Sequence, residues 1–184
     1  YMPDFSVIGG AKENRINLAA RFNNSDNGTY ALLSTTSTLG RDPQSGVPQV
    51  HVRFNPSSFT TNGRTWRIWA RQIVCDSARV DVDRFSISSG QQRLSVDGVA
   101  SRSDQDTLRL QLHRFDLKPF SRFAERQGYA FEGVTNGSAE LVSAYGGGVL
   151  RAGIDFDSVR VNGVPLADSR FESRWDLQSR RARI

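Results

Sequence analysis

Apolar and polar side chains alternate along most of this chain. Ile16-Asn17-Leu18, Val50-His51-Val52-Arg53-Phe54, Trp66-Arg67-Ile68, Val80-Asp81-Val82, Phe85-Ser86-Ile87, Leu94-Ser95-Val96, Leu108-Arg109-Leu110-Gln111-Leu112, Ile154-Asp155-Phe156 and Val159-Arg160-Val161 all follow this pattern. A period of two belongs to extended strands, whose successive side chains point to opposite faces. Strands covered on both faces read instead as unbroken apolar runs. The pattern therefore predicts an all-β fold, an elongated, mostly antiparallel or mixed sheet with one dry face, to which the family resemblance given below adds that the sheet is curved.

Turn chemistry separates the strands. Asn27-Gly28, Asn62-Gly63, Asp97-Gly98, Asn136-Gly137 and Asn162-Gly163 supply the positive φ angles that tight hairpins or bulges require. A two-residue turn at Asn62-Gly63 pairs Thr61 with Arg64 and sets Phe59 opposite Trp66 on one face. One short helix is expected, from Pro119 to Gln127, with Pro in its first turn and Gly128 as its stop. Its Phe120, Phe123 and Ala124 would cover one end of the dry face. Short phrases recur: Val52-Arg53-Phe54-Asn55-Pro56 echoes Leu112-His113-Arg114-Phe115-Asp116. Such repetition points to an extended β body rather than a closed enzyme core. Residues 1–49 are the least defined, strands with a loop or ragged strand end at Ser34-Thr35-Thr36-Ser37-Thr38 and at Arg41–Gly46.

Composition sharpens this picture. The 184 residues include eighteen aromatics, and 38% of the chain is hydrophobic, which excludes a disordered polymer. No apolar run approaches the roughly 20 residues of a membrane-spanning helix. Lys12 and Lys118 are the only lysines, so 22 of the 24 basic residues are arginine, against 19 acidic ones. The net charge of +5 permits anionic partners, yet the arginines are scattered singly between apolar residues, as on the solvated side of a sheet. Cys75, the single cysteine, excludes an internal disulfide and a cysteine-based zinc site. The closing Arg181-Ala182-Arg183-Ile184 reads as strand, so residues 1–184 are expected to be a single β-rich segment of a longer protein.

No catalytic constellation emerges, and neither an enzyme nor a cofactor is expected. His51 and His113 stand alone, without nearby groups at metal-ligand spacing. Asp81/Asp83 and Asp155/Asp157 share strand faces, as two-acid hydrolysis or calcium binding would need, but they alternate with Val82 and Phe156 and read as solvated. Gly146-Gly147-Gly148 lacks the Lys-Ser/Thr and the helix of a phosphate cradle and reads as a flexible hairpin tip. No serine sits in a Gly-x-Ser-x-Gly elbow. Nucleic acid is not an expected partner: in Arg64–Arg71, Trp69 shares a face with Arg67 and Arg71, which a local cation–π stack explains.

Several of these phrases together resemble a known family. Val52–Phe59, Asn62-Gly63-Arg64-Thr65-Trp66, Phe85-Ser86-Ile87, Leu94–Ser101, Leu110–Phe120, Val159–Asp168 and Trp175-Asp176 are similar to a middle section of the TamB members of the AsmA-like family of the Bacteroidetes. The resemblance covers nearly everything from about Val50 onward. It implies a periplasmic section of an envelope protein tethered to the inner membrane, with an open β half-pipe (a β-taco) whose greasy interior conducts phospholipid between membranes. It also implies a role in outer-membrane protein assembly beside a TamA-like barrel protein, through regions outside this chain. Asp76-Ser77-Ala78, Asp106-Thr107-Leu108 and Asp157-Ser158-Val159 resemble acceptor sites of that bacterial group's O-glycosylation, with Ser77, Thr107 and Ser158 as the acceptors.

Physical chemistry leaves two ways to cover a one-sided apolar sheet. It can close as a sandwich, sheet on sheet, or it can curl around something else that is apolar. Acyl chains suit the second, because burial at about 25 cal/mol per Å² gains a shielded chain several kcal/mol without fixing its position. Leu94, Val96, Leu108, Leu110, Leu112, Leu150, Ile154, Phe156, Val159 and Val161 are the groove-lining candidates. The alternatives are a scaffold offering open strand edges to client strands, through which fragments would self-associate, and a carbohydrate-binding or adhesive sandwich displaying Trp69 and Trp175.

Overall fold

The structure, a computed structural model, describes residues 4–25, 28–61, 63–118, 128–166, 169–179 and 181–183. The chain order is β1 (Asp4–Lys12), β2 (Arg15–Asn24), β3 (Thr29–Arg41), β4 (Pro48–Phe54), β5 (Ser57–Thr61), β6 (Arg64–Trp69), β7 (Gln72–Cys75) and β8 (Val80–Ser89). There follow β9 (Gln92–Ala100), β10 (Thr107–Asp116), β11 (Phe131–Val142), β12 (Val149–Val161), β13 (Val164–Pro165), β14 (Ser169–Asp176) and β15 (Arg181–Arg183). All join one sheet in which every pairing is antiparallel. The helix expected over 119–127 lies outside the described residues.

The apparent branching of the sheet conceals a simple meander. β3 pairs with β4 through one half and with β5 through the other, while β8 pairs with β7 and β6 in the same manner. β4 and β5 thus form one rung interrupted at Asn55-Pro56, and β6 and β7 form the next, interrupted at Ala70-Arg71. Proline cannot donate to a ladder, which accounts for the first break. Each rung then lies beside the one before it, a topology built from hairpins alone. The hairpin between β5 and β6 has the expected register, with Thr61 opposite Arg64 and Phe59 opposite Trp66, their rings stacked at 6.0 Å. Ser34–Thr38 lies within β3 rather than in a loop. Thr and Ser fit a pleated surface, and this stretch is paired on both sides, with β2 and with β4 or β5. The loop that follows, 42–47, is closed by Asp42, which accepts the backbone N–H of Gln44 at 2.9 Å and of Ser45 at 2.7 Å.

Bulges keep the dry face dry. Apolar positions step by two through Val80 and Val82, then by three to Phe85; the same slip separates Leu112 from Phe115 and Phe156 from Val159. A regular strand would turn everything beyond each slip to the wrong side. An extra residue absorbs the slip in each case, and the register shifts at these three places. Arg84, Arg114 and Ser158 take the left-handed conformation there, with φ of 53°, 48° and 57°. Two of the five Asn/Asp-Gly pairs serve these bulges instead of making hairpins. The Asp97 carboxylate accepts the Arg84 backbone N–H at 3.0 Å, and the Asn136 side chain accepts that of Arg114 at 2.9 Å. Glycine follows each because of the close approach of the next strand: a Cβ at Gly98 would lie 2.2 Å from the Thr107 carbonyl oxygen.

A side chain in the left-handed region costs about 1–2 kcal/mol, which glycine largely avoids. Arg84→Gly is expected to raise the unfolding free energy by up to about 1 kcal/mol, since the exposed Arg84–Asp83 pair it loses is worth little. Asp97→Ala, which strands the Arg84 N–H, is expected to lower it by about 1 kcal/mol. Urea titrations of the two variants against the parent measure both.

Candidate functional site: an open apolar face

Register places every rung's apolar set on one side. One row runs Ile68, Ile87, Leu94, Leu112, Gly137, Ile154, Phe171 across seven neighbouring rungs. Beside it run Phe85, Val96, Leu110, Ala139 and Ala152, then Leu108, Leu141, Leu150 and Trp175. Toward the first strand the same side carries Phe5, Phe22, Ala31, Phe59 and Trp66 opposite one another. All ten groove candidates lie on this side.

Among the described residues no second layer covers it. The strands that pack together are those that pair in the ladder. Among the described residues only Trp66, Ala70, Val82, Ala100 and Val159 form a buried apolar core. The accessible surface is 12733 Å², against about 8,800 Å² for a compact monomer of this mass. The closed-sandwich alternative is therefore not the architecture found.

The sheet curls toward its dry side in the middle. Phe54 of β4 meets Phe85 of β8 with centroids 5.8 Å apart, although two ladder steps separate them by about 10 Å in a flat sheet. Trp66 of β6 reaches Phe115 of β10 at 5.6 Å, past the tip of the β8–β9 hairpin, where three steps would span roughly 14 Å. Arg64 and Asp116 close the same rim with an ion pair of 3.4 Å. Exposure follows the curl: nine of the ten candidates are half-buried and Val159, 1% exposed, is sealed beneath its bulge. Toward the ends of the sheet Phe5 is 67% and Trp175 47% exposed.

The opposite side is polar and largely self-neutralised. Asp97, Arg109, Glu140 and Arg151 stand opposite one another with alternating charge, Arg109 and Glu140 paired at 3.4 Å, and Arg174 follows opposite Arg151. The paired aspartates take arginine partners rather than face a substrate: Asp81 with Arg79, Asp83 with Arg71 and Arg84, Asp155 with Arg170. Asp157 instead accepts the Ser158 hydroxyl. His51 Nδ1 meets the Gln72 amide at 2.6 Å, and His113 stands on a different rung. Among the described residues no group of three or more His, Cys, Asp or Glu is placed to hold a metal ion. Trp69 is exposed on this side, and the expected stack upon it is not found: Arg71 turns to Asp83, 3.4 Å away.

Gly146–Gly148 is a hairpin tip, close-packed rather than loose: the Tyr145 N–H donates to the Ser101 carbonyl and the Ser143 hydroxyl to that of Arg102, both at 2.8 Å. Cys75 lies on the dry side, and burial, with the Asp76 charge adding, lifts its thiol above the ordinary value. Of the acceptor-like residues, Ser77 is exposed in the turn after β7, Thr107 opens β10 half-buried opposite Val142, and Ser158 is exposed on its bulge. No family model matches the chain, and neither a curated protein nor a solved structure is found similar to it.

Two expectations follow. Trp66, 6% exposed between Phe59 and Phe115, is expected to cost about 3–5 kcal/mol on truncation to Ala. Trp175 on the open end should cost well under half of that, a contrast that denaturant midpoints would reveal. The second concerns acid. Backbone N–H groups of Ser45, Ala78 and Ser179 hold the Asp42, Asp76 and Asp176 carboxyls below the usual carboxylate value. A depressed folded-state value stabilises the fold above the unfolded value near 3.8 and is lost as pH falls through the folded one. Replacing all three with Asn keeps an acceptor oxygen in each turn, so the variant should lose less stability than the parent between pH 4 and pH 2, measured by thermal melts.

Proposed function

We propose that this chain is a section of an envelope bridge of the AsmA-like, TamB type, periplasmic and tethered to the inner membrane, whose dry face conducts phospholipid toward the outer membrane. One observation carries it: a continuous apolar face, some twelve rungs wide and curled toward itself, that no other part of the described chain covers. Monomeric proteins rarely leave apolar patches beyond a few hundred Å² uncovered unless something binds there. The face bears chiefly aliphatic and aromatic groups, with short hydroxyls such as Thr35, Ser37, Thr135 and Ser173 among them, so it would attract a hydrocarbon tail mainly by area, with no charged group to fix the tail in one place. Translocation along such a wall requires no catalytic group.

The outer-membrane assembly scaffold draws on one separate feature, the outer edge of β1. Phe5, Val7 and Ile8 are 67%, 57% and 67% exposed there, with no proline or charge between Phe5 and Ala11 to discourage strand addition. A photo-crosslinking residue at Leu110 or Ile154, in cells, separates the two. Phospholipid adducts at both positions and none at Gln111, one residue away on the polar side, are the expected result. Polypeptide adducts from a further probe at Ile8 on the β1 edge would favour the scaffold, and silence at all nine half-buried candidates would reject lipid conduction.

A further inference from the structure

The polar side holds an open depression of about 1480 Å³, lined chiefly by polar residues, with Phe85, Val96 and Leu112 of the apolar rows also bordering it. Its floor is a row of short uncharged groups: Ser86, Ser95, Gln111 and Ser138 stand opposite one another, continuing from Trp69 at one end. Four ladder steps make this row about 19 Å long. Charge around it is uneven. Every carboxylate lining the hollow is engaged: Asp83 by Arg71 and Arg84, Asp97 by the Arg84 N–H, Asp155 by Arg170. Arg93 and Arg114 line it with no carboxylate within 4 Å among the described residues, and His113 lies directly opposite Arg93. Two unmatched guanidiniums, a hydroxyl and amide floor, and one exposed indole thus face the same space.

We infer that this hollow binds a glycan chain carrying spaced carboxylates. Hydroxyl and amide groups on the floor can exchange hydrogen bonds with sugar hydroxyls, Trp69 offers an apolar platform to a sugar ring's C–H face, and Arg93 and Arg114 can grip carboxylates in forked geometry. A dense polyanion fits less well. Three engaged carboxylates among the lining would repel closely spaced charges, and single-stranded nucleic acid would want successive stacking aromatics where the hollow provides only Trp69.

Isothermal titration of the chain with a hyaluronan hexasaccharide, whose glucuronates alternate with uncharged sugars, provides the test. Saturable binding that weakens with added salt is expected, reduced at least tenfold in the Arg93→Ala/Arg114→Ala double variant and in Trp69→Ala. Leu110→Ala, on the other side of the sheet, should leave it unchanged. Circular dichroism of each variant verifies the fold, and all three polar-side substitutions are at exposed positions. Absence of binding, binding indifferent to the double variant, or tighter binding of a thymidine oligonucleotide or of heparin would each overturn the assignment. None of these outcomes bears on capture of lipid at Leu110 or Ile154.

Discussion

Everything in this molecule depends on keeping one side of a long ribbon of hairpins apolar without interruption. In a strand the side chain's face is set by parity, so a single misplaced residue inverts everything beyond it. The chain contains such slips in several rungs, and in each the backbone bends to correct the parity: a bulge at Arg84, Arg114 and Ser158, an outright break at Asn55-Pro56. Each bulge holds a non-glycine residue in a conformation that costs energy in isolation. That the sheet sustains them shows how much free energy rides on the continuity of the dry face. The same bulges add twist and bend to their strands, which helps bring side chains such as Trp66 and Phe115 together across intervening rungs.

Stability in such an architecture is distributed unevenly. With few fully buried apolar residues, the sheet relies on cross-strand neighbours, the row of alternating charge from Asp97 to Arg151, and interlocked loops along one rim. Along that rim Ser101, Asp106, Ser143 and Tyr145 exchange hydrogen bonds between the 101–106 and 143–148 connections. Polar groups sequestered there are satisfied; among the described residues no buried side-chain nitrogen or oxygen lacks a partner. Ladder partners supply nearly all contacts, so each rung depends chiefly on its two neighbours, as repeats in a solenoid do. The curled middle holds the buried Trp66 and its half-buried aromatic neighbours, and the two ends are the more exposed.

Much of this was legible in the sequence, and the reason is parity. Alternation assigned β2, β4, β6, β8, β9, β10 and β12, the all-β class and the common face of Leu94 through Val161, but neither β11 nor β14, because a one-sided sheet writes its geometry into residue order only where apolar residues recur on one side. What escaped was written in the same code. The three-residue step from Val82 to Phe85, repeated at Leu112–Phe115 and Phe156–Val159, announces a bulge as plainly as alternation announces a strand. Asp97-Gly98 and Asn136-Gly137 have the composition of hairpin turns, and only the neighbouring strand decides that they cap bulges. Ser34–Thr38 was obscured because hydroxyl residues on both faces erase the contrast that alternation needs. The polar hollow had no local signature at all, since Trp69, Arg93 and Arg114 are brought together by pairing across β6, β8, β9 and β10.

The two sides of the sheet solve opposite problems with one backbone. The dry side has few polar atoms and so can hold a ligand only by excluding water, which makes it indifferent to position along its length. Directed hydrogen bonds and unmatched charge are confined to the other side, where Arg93 and Arg114 stand in register with short hydroxyl groups. Parity forces this separation: any residue that dried the polar side would wet the apolar one if the strand slipped by one place. In the proposed bridge, that arrangement would let a mobile cargo on one surface and a stationary attachment on the other coexist on opposite faces of the same strands.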